Sequence, residues 1–128
     1  MLWKILEWVW LFPAPLMRYI NVREKVGEFE GRNVYVYRRW TSGRNFAFAF
    51  GNDIFVPRAS TFSNTELMWH EYRHTQQWWA LGFFGMAFTY LGLLLVYLPV
   101  HGFDWYTAYV ALPHERDARA FARRKMQR

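Results

Sequence analysis

The sequence predicts an α+β domain in which a small antiparallel sheet packs against a helix carrying paired histidines, with further apolar helices behind. Three observations predict it. Residues 33–57 hold short runs of β-branched and aromatic side chains interrupted by a glycine turn. Ser63-Asn64-Thr65-Glu66 reads as a capping box, which opens a helix. Beyond it the chain stays apolar as far as Pro99, and Pro113 then stands where the first turn of a terminal helix favours proline.

Taken in order, residues 1–20 form an amphipathic amino-terminal segment. Large side chains recur at helical spacing over 3–11, and Pro13 stops the helix. Glu7, Pro13 and Pro15 interrupt its apolar run and no small-x-small cleavage site follows, so it reads as retained rather than as a signal peptide. Trp3, Trp8 and Trp10 suit it to touch a membrane surface. Residues 19–31 are polar and glycine-punctuated, and no strand is expected there. A strand is expected at 33–39. A hairpin follows, with Phe46, Phe48 and Phe50 on one face, a turn at Gly51-Asn52-Asp53, and Ile54-Phe55-Val56 pairing back before Pro57. A helix over 64–81 places His70, His74, Gln77 and Leu81 on one face. A second apolar helix covers 83–98 and ends at Pro99, residues 101–112 make a loop or short helix, and a last helix covers 113–127. There is no internal repeat and no low-complexity segment.

Composition narrows the class. A chain of 128 residues with 53% hydrophobic and 22% aromatic side chains is not disordered and suffices for one core. It also holds more aromatic surface than a small core needs, so some rings must line a groove, a homo-oligomer contact or a membrane surface. The net charge is +6, and 13 of the 16 basic residues are arginines, scattered apart from the pairs at 38–39 and 123–124. With no helix-turn-helix, zinc-finger or RNA-recognition pattern, dedicated nucleic-acid binding is not expected. The absence of cysteine excludes disulfides and thiolate metal sites, and it fits a cytoplasmic, reducing compartment.

A metal held by this chain must therefore use histidine and carboxylate. His70-Glu71-x-x-His74 offers both imidazoles to one point, while Glu71, one step around the helix, can take a proton from a water activated there. A third ligand has to come from His101, Asp104, His114, Glu115 or Asp117. Glu115 is favoured, because it lies in the first turn of the helix opened by Pro113 and Ala118 lets that helix approach closely. His114 is the rival, with a helix-start position in solvent as its ordinary role. Asp117 is expected to pair with nearby arginines. For stabilising developing negative charge, Tyr109 and Tyr106 are best placed, with His101 behind them.

These residues carry a resemblance. "HEYRHTQQ", followed after a glycine and an apolar stretch by "YTAYVALPHERDA", resembles the small bacterial zinc-metallopeptidase-like domains of the gluzincin type. In those domains a His-Glu-x-x-His helix, often with a nearby Gln, is completed by a Pro-x-Glu-x-x-Ala segment. The likeness covers about residues 45–122. It implies a minimal zincin-like fold, one zinc ion (Zn2+) per chain held by His70, His74 and Glu115, Glu71 as general base, and a peptide or protein substrate. The larger gluzincins carry an aspartate four residues after the glutamate ligand. Here that position is Arg119. The hairpin strand before the helix would offer an edge along which an extended peptide can lie.

The apolar stretch raises the question of lipid. No Asp, Glu, Lys or Arg occurs from His74 to Phe103. Residues 78–100 are long enough to span a bilayer, although the densest part, 83–98, measures only about 24 Å as a helix. A straight span would carry the chain about 30 Å from His74 before Glu115 is reached. The return would bury Asp104 and unpaired backbone groups in hydrocarbon. The expectation is instead that Gly82, Gly85 and Gly92 permit a bend, so that 83–98 folds back as a buried helix of a soluble or peripherally attached protein, covering the sheet on one side and meeting a partner subunit or a membrane on the other. Three readings follow: a metallopeptidase, a non-catalytic metal-stabilised binding module, and a membrane-embedded protein with incidental histidines.

Overall fold

The computed structural model describes residues 2–20, 22–37 and 47–127. Helix α1 (Leu2–Trp10) leads through a 3-10 turn (Ala14–Leu16) into the short α2 (Met17–Ile20). Strands β1 (Val22–Phe29), β2 (Arg32–Tyr37), β3 (Phe48–Phe50) and β4 (Asp53–Val56) follow. After a second 3-10 turn (Ala59–Ser63) come α3 (Thr65–Val100), α4 (Trp105–Ala111) and α5 (Pro113–Met126). The fold is α+β.

The sheet has the order β1-β2-β4-β3 and is mixed, which corrects the antiparallel expectation: β2 and β4 pair in parallel, while β1–β2 and β3–β4 are antiparallel. Burial explains the insertion of β4. All four of its residues are buried, whereas Phe48–Phe50 are only partly so. The most buried strand takes an inner position, and the tight turn at Gly51 (φ 68°) leaves β3 at the edge. Arg38, Arg39 and Phe46, which the sequence reading placed in the second strand and the hairpin, lie outside the described residues.

β1 was not expected at all. Half of its sequence, Val-Arg-Glu-Lys-Val-Gly-Glu-Phe, is exposed, and charged side chains suit an edge strand. It closes onto β2 through Glu30 (φ 49°) and Gly31 (φ 81°), two positive-φ residues as a type I′ hairpin requires.

α3 does not start at the predicted cap. Ser63 ends the 3-10 turn and gives its hydroxyl to the Ser60 carbonyl, so Asn64 caps instead, accepting the Leu67 N–H at 3.1 Å. That bond contributes about 1 kcal/mol. Met68, on the first arm of α3, packs with Val34, Val36, Ile54 and Val56 of the sheet.

Helical geometry in α3 fails at one residue, Gly82 (φ 74°, ψ 171°), a conformation essentially restricted to glycine. A Cβ there would meet the Trp10 ring at 2.8 Å. Trp10 also donates its indole N–H to the Trp79 carbonyl, a group that a regular helix would bond to residue 83. Leu11, Ala14, Trp78 and Met86 form a second apolar cluster at this level. Gly85 and Gly92 remain helical, and the helix runs through Pro99 to Val100.

The second arm is not the buried helix expected. Only 11% of its most apolar window is buried, and Phe84 and Phe88 are 79% and 82% exposed. The reason is geometric: one face of the arm meets the rest of the chain, and nothing among the described residues covers the other. By length and composition α3 is the one helix among the described residues that is long and apolar enough to cross a membrane.

Arg18 ties the amino-terminal helices to the sheet. It binds Glu7, and its Nε donates to Asp53 Oδ2 at 2.9 Å. One guanidinium thus serves two buried carboxylates. Burial lifts Asp53 from 3.8 to about 6, against the lowering effect of Arg18 and with Glu7 adding repulsion.

Two outcomes follow. Gly82→Ala should cost about 1–3 kcal/mol in chemical unfolding, while Gly92→Ala, where a Cβ meets nothing within 4 Å, should gain about 0.5–1 kcal/mol. A carboxyl whose folded pKa is raised favours the fold fully below its unfolded pKa, and this contribution is lost as pH rises through about 6. The melting temperature of the wild type relative to Asp53→Asn, followed by circular dichroism, should therefore fall between about pH 4 and about pH 7.

Candidate metal centre

His70 and His74 stand one turn apart on the first arm of α3, their rings edge to face at 4.8 Å. α5 packs against this arm through Ala118 and Ala122, both buried, which lets the two backbones come close. Its first turn delivers Glu115. One carboxylate oxygen lies 3.2 Å from His70 Nε2, the other 3.0 Å from His74 Nε2, and the two Nε2 atoms are 3.2 Å apart.

A zinc ion bound at about 2.0–2.1 Å by tetrahedral nitrogen and oxygen ligands needs donor atoms about 3.3 Å apart. Each Glu115 oxygen sits near that distance from one imidazole nitrogen, and one donor atom from each of the three residues lies within 4.8 Å of the others, a group that could hold a metal ion. Burial raises the carboxyl pKa of Glu115, but bonds to His70 and His74 outweigh it and hold the group well below the usual carboxylate range. Burial lowers the pKa of His74, yet the bond to Glu115 and the charges of Glu71 and Glu115 carry it to about 9. The cluster favours positive charge among these atoms.

Gln77 defines the outward nitrogen of His74. Its Nε2 donates to the His114 carbonyl and to Asp117, each at 3.0 Å, which leaves Oε1 to accept from His74 Nδ1 at 2.8 Å. His74 therefore carries a proton on Nδ1, and Nε2 faces the cluster. Asp117 is in turn held by Arg73 at 2.7 Å. Arg119, which occupies the position of the gluzincin aspartate, binds the Val110 carbonyl instead.

Glu71 is buried beside the cluster. Burial lifts it to about 7, against the charges of His74 and His70 and a hydrogen bond from the Ala49 backbone N–H. It lines a cleft of about 350 Å³ bounded by Phe48 and Ala49 of β3, by His74 and Glu115, and by Leu91 and Leu94 of the second arm.

The remaining candidates disperse. Tyr109 lines the cleft, whereas Tyr106 is 74% exposed. His101 caps the end of α3, and Asp104 caps α4 by accepting the Tyr106 N–H. His114 is buried rather than solvated, with Nε2 at 3.1 Å from the Thr89 hydroxyl, and lies outside the ligand cluster. The sequence reading missed Tyr90, whose hydroxyl donates to Glu115 Oε2 at 2.6 Å. No motif marks it, because its register relative to His74 depends on the break at Gly82.

Comparison with family models, with curated proteins and with solved structures gives no match. The gluzincin likeness therefore rests on the motif residues alone. Replacing Gln77 by Leu removes the partner of His74 Nδ1, and zinc affinity, measured by competition with a chelating dye, should fall about 10–100-fold.

Proposed function

We propose that this chain is a zinc-dependent metallopeptidase of the gluzincin type, acting in the cytoplasm on peptide or protein substrates and having no dedicated nucleic-acid partner. The observation that carries the reading is the meeting of His70, His74 and Glu115, one donor atom from each lying within 4.8 Å of the others, with the Glu71 carboxyl in the same cleft. One zinc ion per chain would be held by those three side chains. When bound, the ion supplies an electrophile for the scissile carbonyl and acidifies an attacking water.

The chain's own groups do the rest. Glu71 accepts the proton of the attacking water and returns it to the leaving amine. Tyr109, on the cleft wall, donates a hydrogen bond to the oxygen that gains charge as the carbonyl becomes tetrahedral. Tyr90 holds the Glu115 carboxylate in place. The outer strand β3, which contributes Phe48 and Ala49 to the cleft, offers an edge for an extended peptide.

Elemental analysis of the purified chain should find about one zinc per molecule. His70→Ala and Glu115→Ala should each abolish it. Glu71→Gln should retain the metal and lower the hydrolysis of a fluorogenic peptide library about 10²–10⁴-fold. A wild type that holds zinc but cleaves nothing, indistinguishably from Glu71→Gln, would identify a non-catalytic binding module.

A further inference from the structure

The second arm of α3 has two faces of opposite character. Toward the chain, Thr89 meets His114 and Tyr90 meets Glu115. Away from it, every exposed residue from Leu81 to Val100 is apolar. Phe84 and Phe88, 79% and 82% exposed, alone present about 300 Å² of ring surface. A soluble monomer seldom leaves a contiguous apolar patch of more than a few hundred Å².

The patch does not stop at the arm. α1 is fastened at the break, with Trp10 against Gly82 and the Trp3 ring 5.6 Å from that of Trp79. It too turns large apolar residues outward, among them Leu2, Trp3, Ile5 and Val9. Its one acidic residue, Glu7, is buried against Arg18, so Lys4 is its only exposed charge. At the far end of the arm, Trp105 and Tyr106 are 57% and 74% exposed.

We infer that this surface docks the protein onto one face of a lipid bilayer, with α1 and the outer face of the second arm lying in the interface. Four features favour lipid over a protein partner. Phe84, Phe88, Val96 and Val100 spread over about half the helix circumference, wider than the seam of a helix pair. The face carries none of the hydrogen-bonding groups that a protein interface places about every 100–200 Å². Tryptophan and tyrosine border it at both ends, as they do at membrane interfaces. The net charge of +6 and the exposed Lys4 complement anionic headgroups.

A span is disfavoured by the inner face. Tyr90 lies about 12 Å along the helix from Gly82, and a transmembrane arm would draw Glu115, His70 and His74 toward the hydrocarbon with it. Lying in the plane leaves the inner face to the protein. Ala87 and Leu91, exposed themselves, also line the cleft, so its mouth opens beside the docked surface. Docking does not depend on the metal.

The full chain should float with phosphatidylcholine vesicles containing phosphatidylglycerol in a density gradient, and less well with phosphatidylcholine alone. Phe88→Glu combined with Leu95→Glu should weaken flotation at least about tenfold, with an unchanged circular dichroism spectrum; the neutral pair Phe88→Gln and Leu95→Gln should weaken it less. Glu71→Gln should float like the wild type, which separates this result from the fate of the peptidase reading. Wild-type protein remaining at the bottom of the gradient would overturn the inference. So would a dimer in ultracentrifugation that ignores vesicles and is split by the Glu pair, because a second copy would then cover the face. Resistance to alkaline carbonate extraction would overturn the in-plane arrangement in favour of a span.

Discussion

The backbone of Gly82 is the constraint on which the rest of the molecule depends. Glu71 and Leu94 are separated along α3 by about 35 Å in a straight helix, yet both line one cleft of about 350 Å³. Only a sharp change of direction between them reconciles the two figures. Gly82 supplies it with a backbone conformation that other residues avoid, and Trp10 fills the space where a side chain would stand. The indole also takes the Trp79 carbonyl, so the break is not left with an idle acceptor. The amino-terminal helix therefore has a structural task at the corner of α3, which accounts for Leu11 and Ala14 being wholly buried there.

Given the corner, the electrostatics at the cluster are forced. α5 packs on α3 with its first turn beside His70 and His74, and that turn contains Glu115. A buried carboxylate in that position needs positive charge or hydrogen-bond donors, since an isolated one would cost several kcal/mol. Two imidazoles and the Tyr90 hydroxyl meet the need. The same need suits a divalent cation at the centre of the three donors. Gln77 adds direction, because its amide can satisfy its carbonyl and carboxylate partners in one orientation only, and that orientation turns His74 Nε2 inward.

How far the sequence disclosed this differs from element to element. The pairing of His70 with His74 needs only helical periodicity, and Glu115 could be located from Pro113 because a proline-opened helix has a defined first turn. Local signals of this kind survive folding. The cap at Asn64 shows their resolution: Ser63 belonged to the preceding turn, and the motif acted one residue later. Non-local choices were not legible. β1 reads as polar linker because an edge strand has no need of a continuous apolar face. The parallel pairing of β2 with β4 depends on which strand of the hairpin is placed inside, a competition that neither segment reveals alone. Tyr90 was invisible for the same reason, since its place at Glu115 is set by the angle at Gly82.

Residues 83–98, expected as a helix buried on one side, are more exposed than that reading allowed. The sequence lets this helix cover the sheet on one side and meet a partner subunit or a membrane on the other. Once the sheet has taken the first arm, α5 has met Thr89 and the cleft has taken Tyr90, the described residues offer no second layer to place over Phe84, Phe88 and Leu95. The 22% aromatic content, excessive for one small core, is the compositional trace of this arrangement. Hydrophobicity in a short chain thus marks surface that must leave water, and whether protein or lipid replaces the water is decided by how much chain remains to cover it. The second arm of α3 carries both characters at once: its inner face builds the cleft, and its outer face is left uncovered by the described residues.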